Sequence, residues 1–450
     1  MLAYEEGCLS KERMVKSVTL STALLIKPQL SLRRVTQAFR KLCNRHDILR
    51  SRFHKLGGSW TCSISDSPPP GITVHDYGSA AEPEIEGLIV QHALASISLM
   101  DEASIQLDLL RFGAHGDGLV LRVHHGIADG FSLLVIIEDL VKLVLGMPLF
   151  TPALSHAAYL ADWGNDTRPD SAATEAYWQR KLLPAAKPVN IGRVRRGLPM
   201  LKNMFDWSRF GSLRFDLGKA DMLPLTTHAR RENVSLFMLM NAAYLQAIAA
   251  AGDCDDLLYS VTLGRSDAQL SQYAGHHTLH PFMRCRGLSD MSVGAVARNA
   301  NDEFVTTMAH LSSPAVRRDG WWDQNLHAAG SYPRQITTGL LNSGARARTS
   351  LFSDALSLKP GQTFNTGLYK LRRIEVPQNL GDMDELNFRP NIDGNGGTVH
   401  FSYDADAFDD AEIAELAKQV FAKVDMGQPK GYLLKSSAPQ ELPQALEAPR

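Results

Sequence analysis

Strand patterns and amphipathic helix patterns alternate along this chain. The alternation runs twice, with a Pro- and Gly-punctuated stretch between the two sets. That pattern excludes an all-helical bundle and an all-β sandwich and predicts an α/β (α+β) protein of two halves in series. In the first set, residues 17–26 are β-branched and apolar, and residues 32–42 place apolar side chains at helical spacing. Residues 50–53 and 60–64 read as a hairpin across Gly57-Gly58, 84–98 as an amphipathic helix, 106–112 and 119–123 as strands, and 131–145 as a helix. The boundary falls over 147–170, with Pro148, Pro152, Gly164 and Pro169. The second set has helices at 172–183, 235–251, 292–309 and 409–424, and strands at 212–215, 257–262, 363–376, 384–388 and 398–403.

The chain has 450 residues, more than one comfortable hydrophobic core, so two lobes are expected at 1–165 and 166–430. Residues 431–450 read as a disordered tail. Lys and Arg (47) balance Asp and Glu (48), which argues against a general nucleic-acid binder. Five scattered cysteines with no CxxC pair indicate neither a disulfide framework nor a zinc knuckle, and a reducing, cytoplasmic setting is expected. The first twenty residues lack the apolar core of a signal peptide. The most apolar long stretch, 131–150, is broken by Glu138, Asp139 and Lys142, so no membrane span is expected. The GxGxxG and GxxxxGK[ST] patterns are missing, which removes most of the case for a nucleotide cofactor.

Chemistry concentrates in residues 119–130, LVLRVHHGIADG. A strand runs into His124-His125, a short turn follows, and Asp129-Gly130 leads into the next helix. Loops at strand ends are common catalytic positions, and histidine can take and return a proton near neutrality. Asp129 can fix the turn through a salt bridge, and Gly130 keeps the adjacent space free of a side chain. A His pair at a strand end is also a common structural feature, and His, His and Asp are all possible metal ligands. Four fixed positions of this kind match by chance in roughly one chain in 400 of this length, so the pattern needs agreement from its context.

That agreement exists. HHGIADG resembles the HHxxxDG motif of the condensation domains of nonribosomal peptide synthetases, in the chloramphenicol acetyltransferase-like superfamily. Residues 45–53, RHDILRSRF, resemble the family's RHxxLRxxF segment. Residues 159–163 (YLADW), Tyr177-Trp178 with Leu182, and 261–265 (VTLGR) resemble further family segments, as do Gly275 to Arg284 and 401–408 (FSYDADAF). The resemblance is collinear from about residue 10 to residue 425. It implies two acetyltransferase-like lobes in a V-shaped pseudo-dimer with a central tunnel. It implies that His125 is catalytic, as a base or by orienting the nucleophile, and that His124 is structural. Asp129 becomes an ion-pair partner of Arg265, with Arg50 second.

The same resemblance implies the reaction. A donor acyl or aminoacyl thioester arrives on the phosphopantetheine arm of an acyl or peptidyl carrier protein and is joined to an amine or hydroxyl. A thioester is already activated, so no bound cofactor is expected and positioning supplies much of the acceleration. The chain has no room for adenylation, carrier or thioesterase domains, so a free-standing enzyme with carriers in trans is expected. The alternatives are an acyl-CoA-dependent O-acyltransferase of the same superfamily and a non-catalytic docking platform.

Some family features are altered. His277 and Leu279 replace a Phe and an Asn on the expected acceptor side, and no familiar segment is recognisable between residues 312 and 358. An unusual acceptor is therefore expected, either a small molecule or carrier-bound. The run His276-His277-Thr-Leu-His280 suggests a metal at first, but adjacent histidines on a strand point to opposite faces, so no metal is expected there.

Overall fold

The computed structural model describes residues 19–56, 59–66, 71–97, 104–150, 152–164, 171–198, 210–263, 273–276, 278, 280–310, 335–340, 363–376, 385–427, 429–435 and 438–441. In chain order the elements begin with β1 (Thr19–Lys27), α1 (Leu32–Arg45), β2 (Ser51–Leu56), β3 (Ser59–Ile64), β4 (Thr73–Asp76) and α2 (Ile85–Ala93). Next come β5 (Ile105–Arg111), β6 (Asp117–His124), α3 (Gly130–Val144), α4 (His156–Gly164), α5 (Ser171–Leu182) and the single turn α6 (Gly192–Arg195). They continue with β7 (Phe210–Leu217), α7 (Lys219–Glu232), α8 (Leu236–Ala251), β8 (Asp256–Leu263), β9 (Phe282–Arg286) and α9 (Val293–Ala309). The last are β10 (Ile336–Leu340), β11 (Thr363–Asn365), β12 (Lys370–Ile374), β13 (Leu386–Asp393), β14 (Gly396–Asp404), α10 (Asp410–Lys423), β15 (Lys430–Lys435) and β16 (Ala438–Glu441).

The mixed α/β expectation holds, and the chain forms two compact units. The first comprises Met1–Asp166, Gly264–Thr278 and Asn342–Gly381; the second comprises Thr167–Leu263, Leu279–Leu341 and Asp382–Arg450. A serial division at residue 165 does not capture this arrangement, because two later segments group with the first unit. Their reason for doing so is local. Ala274 is buried in that unit's core, and β12 takes up the hydrogen bonds of β1 from Ala23↔Ile374 to Lys27↔Lys370.

The first unit's sheet has the order β11-β12-β1-β6-β5-β4, with β4 parallel to β5 and the other neighbours antiparallel. β6 lies centrally and is buried at every position. Its alternation still sorts the two faces. Leu119, Leu121 and Val123 join one core with α1 and α3, while Val120 joins the other with α2. α3 supplies Leu133, Ile136, Ile137, Leu140, Val141 and Val144 at helical spacing. Truncating one such leucine to alanine costs about 2–5 kcal/mol.

The second unit's sheet has the order β16-β15-β7-β14-β13-β10-β8-β9, with β10 parallel to both β8 and β13. α8 is apolar nearly all round and buried from Met238 to Ala249, and Ser235 caps it by accepting the Met238 amide at 3.1 Å. Asp409 and Glu412 form a reciprocal capping box on α10, with both bonds at 2.9 Å.

The tail expectation needs correction over 431–435 and 438–441, while 436–437 and 442–450 lie outside the described residues. Residues 430–435 form β15 against β7, with Leu433 opposite Leu213, and 438–441 add β16. Gly431 and Leu433 are buried and Tyr432 is half-buried, so this stretch carries the alternation of a sheet strand rather than the signature of disorder. Among the described residues no single helix is long and apolar enough to cross a membrane.

Candidate active site

β6 delivers His124 to its end, and a tight turn leads to Asp129 at the cap of α3. Asp129 is buried, and its Oδ1 accepts the Ser132 amide at 2.8 Å. The carboxylate thereby satisfies one of the helix's unpaired amides and places negative charge at the positive end of the helix dipole.

The two histidines are distinguished by their hydrogen bonds. His124 is fully buried, and its Nδ1 accepts the Gly126 amide at 2.9 Å. Its lone pair therefore holds the turn. His125 is half-buried, and its Nδ1 lies 2.9 Å from the Ala128 carbonyl oxygen. A carbonyl only accepts, so Nδ1 carries the proton and the lone pair of the neutral ring sits on Nε2.

Residues 273–276 and Thr278, which belong to the first unit, complete it at this turn. His276 is 4% exposed, and its ring centroid lies 5.3 Å from that of His125, tilted by 36°. The Ser132 hydroxyl bonds the Gly275 carbonyl, and the Gly275 amide donates to Ser132 Oγ at 3.0 Å. Thr278 Oγ1 donates to Asp129 Oδ2 at 3.0 Å. Gly275 has to be glycine, because a Cβ there would stand 2.1 Å from the Tyr273 ring. Tyr273 in turn stacks on Tyr159 at 4.4 Å, and its hydroxyl meets His156 Nδ1 at 2.5 Å. Burial holds the His156 imidazole below its ordinary value against the opposing pull of Asp47, whose carboxylate accepts the His156 amide at 2.9 Å.

The RHDILR segment braces the same region from behind. Arg45 Nε and His46 Nε2 both meet Asp139 Oδ2 of α3 at 2.8 Å. Burial raises the Asp139 carboxyl, but the bonds and charges of His46 and Arg45 outweigh it and hold the group below its ordinary value. Arg50, expected as a second partner for Asp129, points elsewhere. It donates from Nε to the Cys43 carbonyl at 3.2 Å and from Nη1 to the Ser65 carbonyl. It closes the turn before β2, so the carbonyls of its own neighbourhood are what it reaches.

Gly130 is exposed at the first position of α3, and a Cβ there meets nothing within 4 Å among the described residues. Arg265, His277 and Leu279 lie outside the described residues. Sequence reasoning missed Ser132 and Thr278 and named His276 only as part of a histidine run. The available signal for Ser132 was its place three residues after a capping Asp. Nothing local marked Thr278.

A family model described as the condensation domain matches residues 12–314. Surfactin synthase subunit 2 of Bacillus subtilis (strain 168) is 24% identical over 306 residues, which cover 67% of this chain and 8% of that protein. The chain thus spans under a tenth of that relative's length. The SgcC5 protein from Streptomyces globisporus, solved with an aryl ethanediol and sucrose, matches with a TM-score of 0.68 at 19% identity, covering 91% of this chain and 93% of that one. The X-domain from teicoplanin biosynthesis matches with a TM-score of 0.73 at 19% identity, covering 94% of each chain. At these identities the solved structures speak to fold.

Proposed function

Because the chain belongs to the condensation-domain family, we propose that it is an acyltransferase of natural-product biosynthesis that joins a thioester donor to an amine or hydroxyl acceptor. The donor is an acyl or aminoacyl group on the phosphopantetheine arm of a carrier protein. The observation that carries this reading is the His125 hydrogen bond to the Ala128 carbonyl, which leaves Nε2 as the ring's basic nitrogen. As the acceptor's N or O bonds to the thioester carbon, Nε2 takes its proton. Collapse of the tetrahedral intermediate breaks the C–S bond, and the departing thiolate recovers that proton. The atoms balance as acceptor plus thioester giving amide or ester plus free thiol.

The acceptor side carries the finer part of the proposal. We assign it to His277 and Leu279 on the family resemblance, and a hydroxyl acceptor is in keeping with the diol bound by the Streptomyces relative. An acyl-CoA donor is the competing chemistry in the same superfamily.

Intact-protein mass spectrometry of a loaded carrier, offered candidate amines and alcohols, tests the reading. Release of the acyl group with product formation is expected, and His125→Ala should slow it by roughly 10²–10⁴-fold. Turnover of acyl-CoA without a carrier supports the other branch. A second reading is a docking platform, prompted by the X-domain from teicoplanin biosynthesis, which was solved in complex with OxyB. Full retention of function in His125→Ala would support it and remove the catalytic assignment.

A further inference from the structure

A second cluster of chemistry-bearing side chains lies on the opposite face of the first unit's sheet from α1 and α3. Asp108 sits in β5 and is 2% exposed. β4 runs parallel to β5 with Thr73 opposite Asp108, so His75, two residues on, shares the face of Asp108. His92 comes from the last turn of α2. His92 Nδ1 stands 3.6 Å from Asp108 Oδ2, and His75 Nε2 stands 4.0 Å from Asp108 Oδ1. The donor atoms of the three residues all lie within 4.8 Å of one another.

We propose that His75, His92 and Asp108 bind one transition-metal dication of the zinc type. The ligand chemistry, two imidazoles and a carboxylate, suits zinc rather than magnesium or calcium, which take oxygen sets. Zinc bonds of about 2.0–2.1 Å in a tetrahedron set donors roughly 3.3 Å apart. The observed His–Asp108 separations of 3.6 and 4.0 Å therefore have to shorten by a few tenths of an ångström when an ion binds.

The surrounding groups fit the same role. His92 Nε2 meets the Tyr77 hydroxyl at 2.8 Å, so with an ion on Nδ1 the ring proton would sit on Nε2 and be donated to that hydroxyl. A hydrogen bond on the remote ring nitrogen is how metal-bound histidines are oriented. Arg122 Nη2 donates to Asp108 Oδ2 at 2.7 Å, which fixes the carboxylate and leaves Oδ1 facing His75. The His75 side chain is 31% exposed, which gives the ion an entry path and room for a water in the fourth position. Bound there, the ion joins β4, at the end of the sheet, to α2. No spacing in the sequence points to the trio, because its members come from three elements.

The full-length protein, freed of metal with a chelator, is titrated with zinc and separately with cobalt(II). One equivalent of each is expected to bind, cobalt giving the visible bands of a tetrahedral site and zinc raising the melting temperature. His75→Ala lies at a half-exposed position, should fold, and should weaken zinc binding at least about tenfold while abolishing the melting shift. Tyr77→Phe keeps all three ligands and should weaken binding about tenfold. Absence of binding to the wild type overturns the proposal. So does wild-type affinity in both His75→Ala and His92→Ala, which would place the ion among other histidines.

Discussion

The Ser132 hydroxyl and the Gly275 backbone exchange hydrogen bonds in both directions, the Gly275 amide donating at 3.0 Å and its carbonyl accepting. Ser132 is fully buried, and a hydroxyl is one of few groups that can answer an amide and a carbonyl together. Ser132→Ala leaves both Gly275 groups without that partner, a cost of about 1–3 kcal/mol. A lower melting temperature is expected, with a larger fall in turnover, because His276 loses its hold beside His125. An unchanged melting curve would show that residues 273–276 are held by other contacts.

Asp129 joins two things at once, the cap of α3 and Thr278. Asp129→Ala should cost about 2 kcal/mol, roughly half from the cap and half from the second bond. Asp129→Asn keeps an acceptor for the Ser132 amide and should recover part of that loss. Chemical denaturation of the two variants is the measurement, and equal losses in both would show that the negative charge itself dominates.

Gly130 separates packing from function. No described atom lies within 4 Å of a Cβ built there, and alanine favours helix over glycine by about 1 kcal/mol. Gly130→Ala should therefore fold as well as the wild type or better. If substrate uses that space, the variant's KM for one substrate rises. Steady-state kinetics with each substrate varied in turn reads this directly, and unchanged constants would leave the glycine without a role in substrate binding.

A pH dependence follows from Glu385 in the second unit. Burial pushes its carboxyl up to about 7; the Arg193 charge opposes this and Asp404 adds to it. Arg193 Nε stands 2.9 Å from Glu385 Oε1. The folded state therefore binds a proton that the unfolded chain releases above about 4.5. This group's contribution to stability is complete below that value and is lost as pH rises through about 7. Glu385→Gln should flatten the corresponding fall in melting temperature. Parallel pH profiles for variant and wild type would rule the effect out.

Much of the site was legible because it is local. The strand–turn–helix of residues 119–145 carries its own signals: an apolar alternation, a capping Asp, and a helical stripe. The different roles expected of His124 and His125 came from the family resemblance, and the pattern of the strand and turn alone did not separate them. What was not legible is non-local. Nothing within the sequence around Gly275 and Thr278 announces that these two residues bond Ser132 and Asp129 at the start of α3. Arg50 was misassigned for a related reason: a charge was matched to a distant opposite charge, while its guanidinium satisfies nearby carbonyls. α4 lay hidden in a proline-rich stretch because Pro152 precedes the helix instead of interrupting it. α7 went unread because Pro224 lies inside it.

The pairing of β1 with β12 has a consequence for how the protein is made. Residues 23–27 leave the ribosome hundreds of residues before their partners at 370–374. Until then the nascent first unit presents an open strand with the apolar run Ala23 to Ile26, a template for mispairing with other chains. Cotranslational folding of this unit cannot finish in N-to-C order, and the cell must shield that edge while most of the second unit is being synthesised.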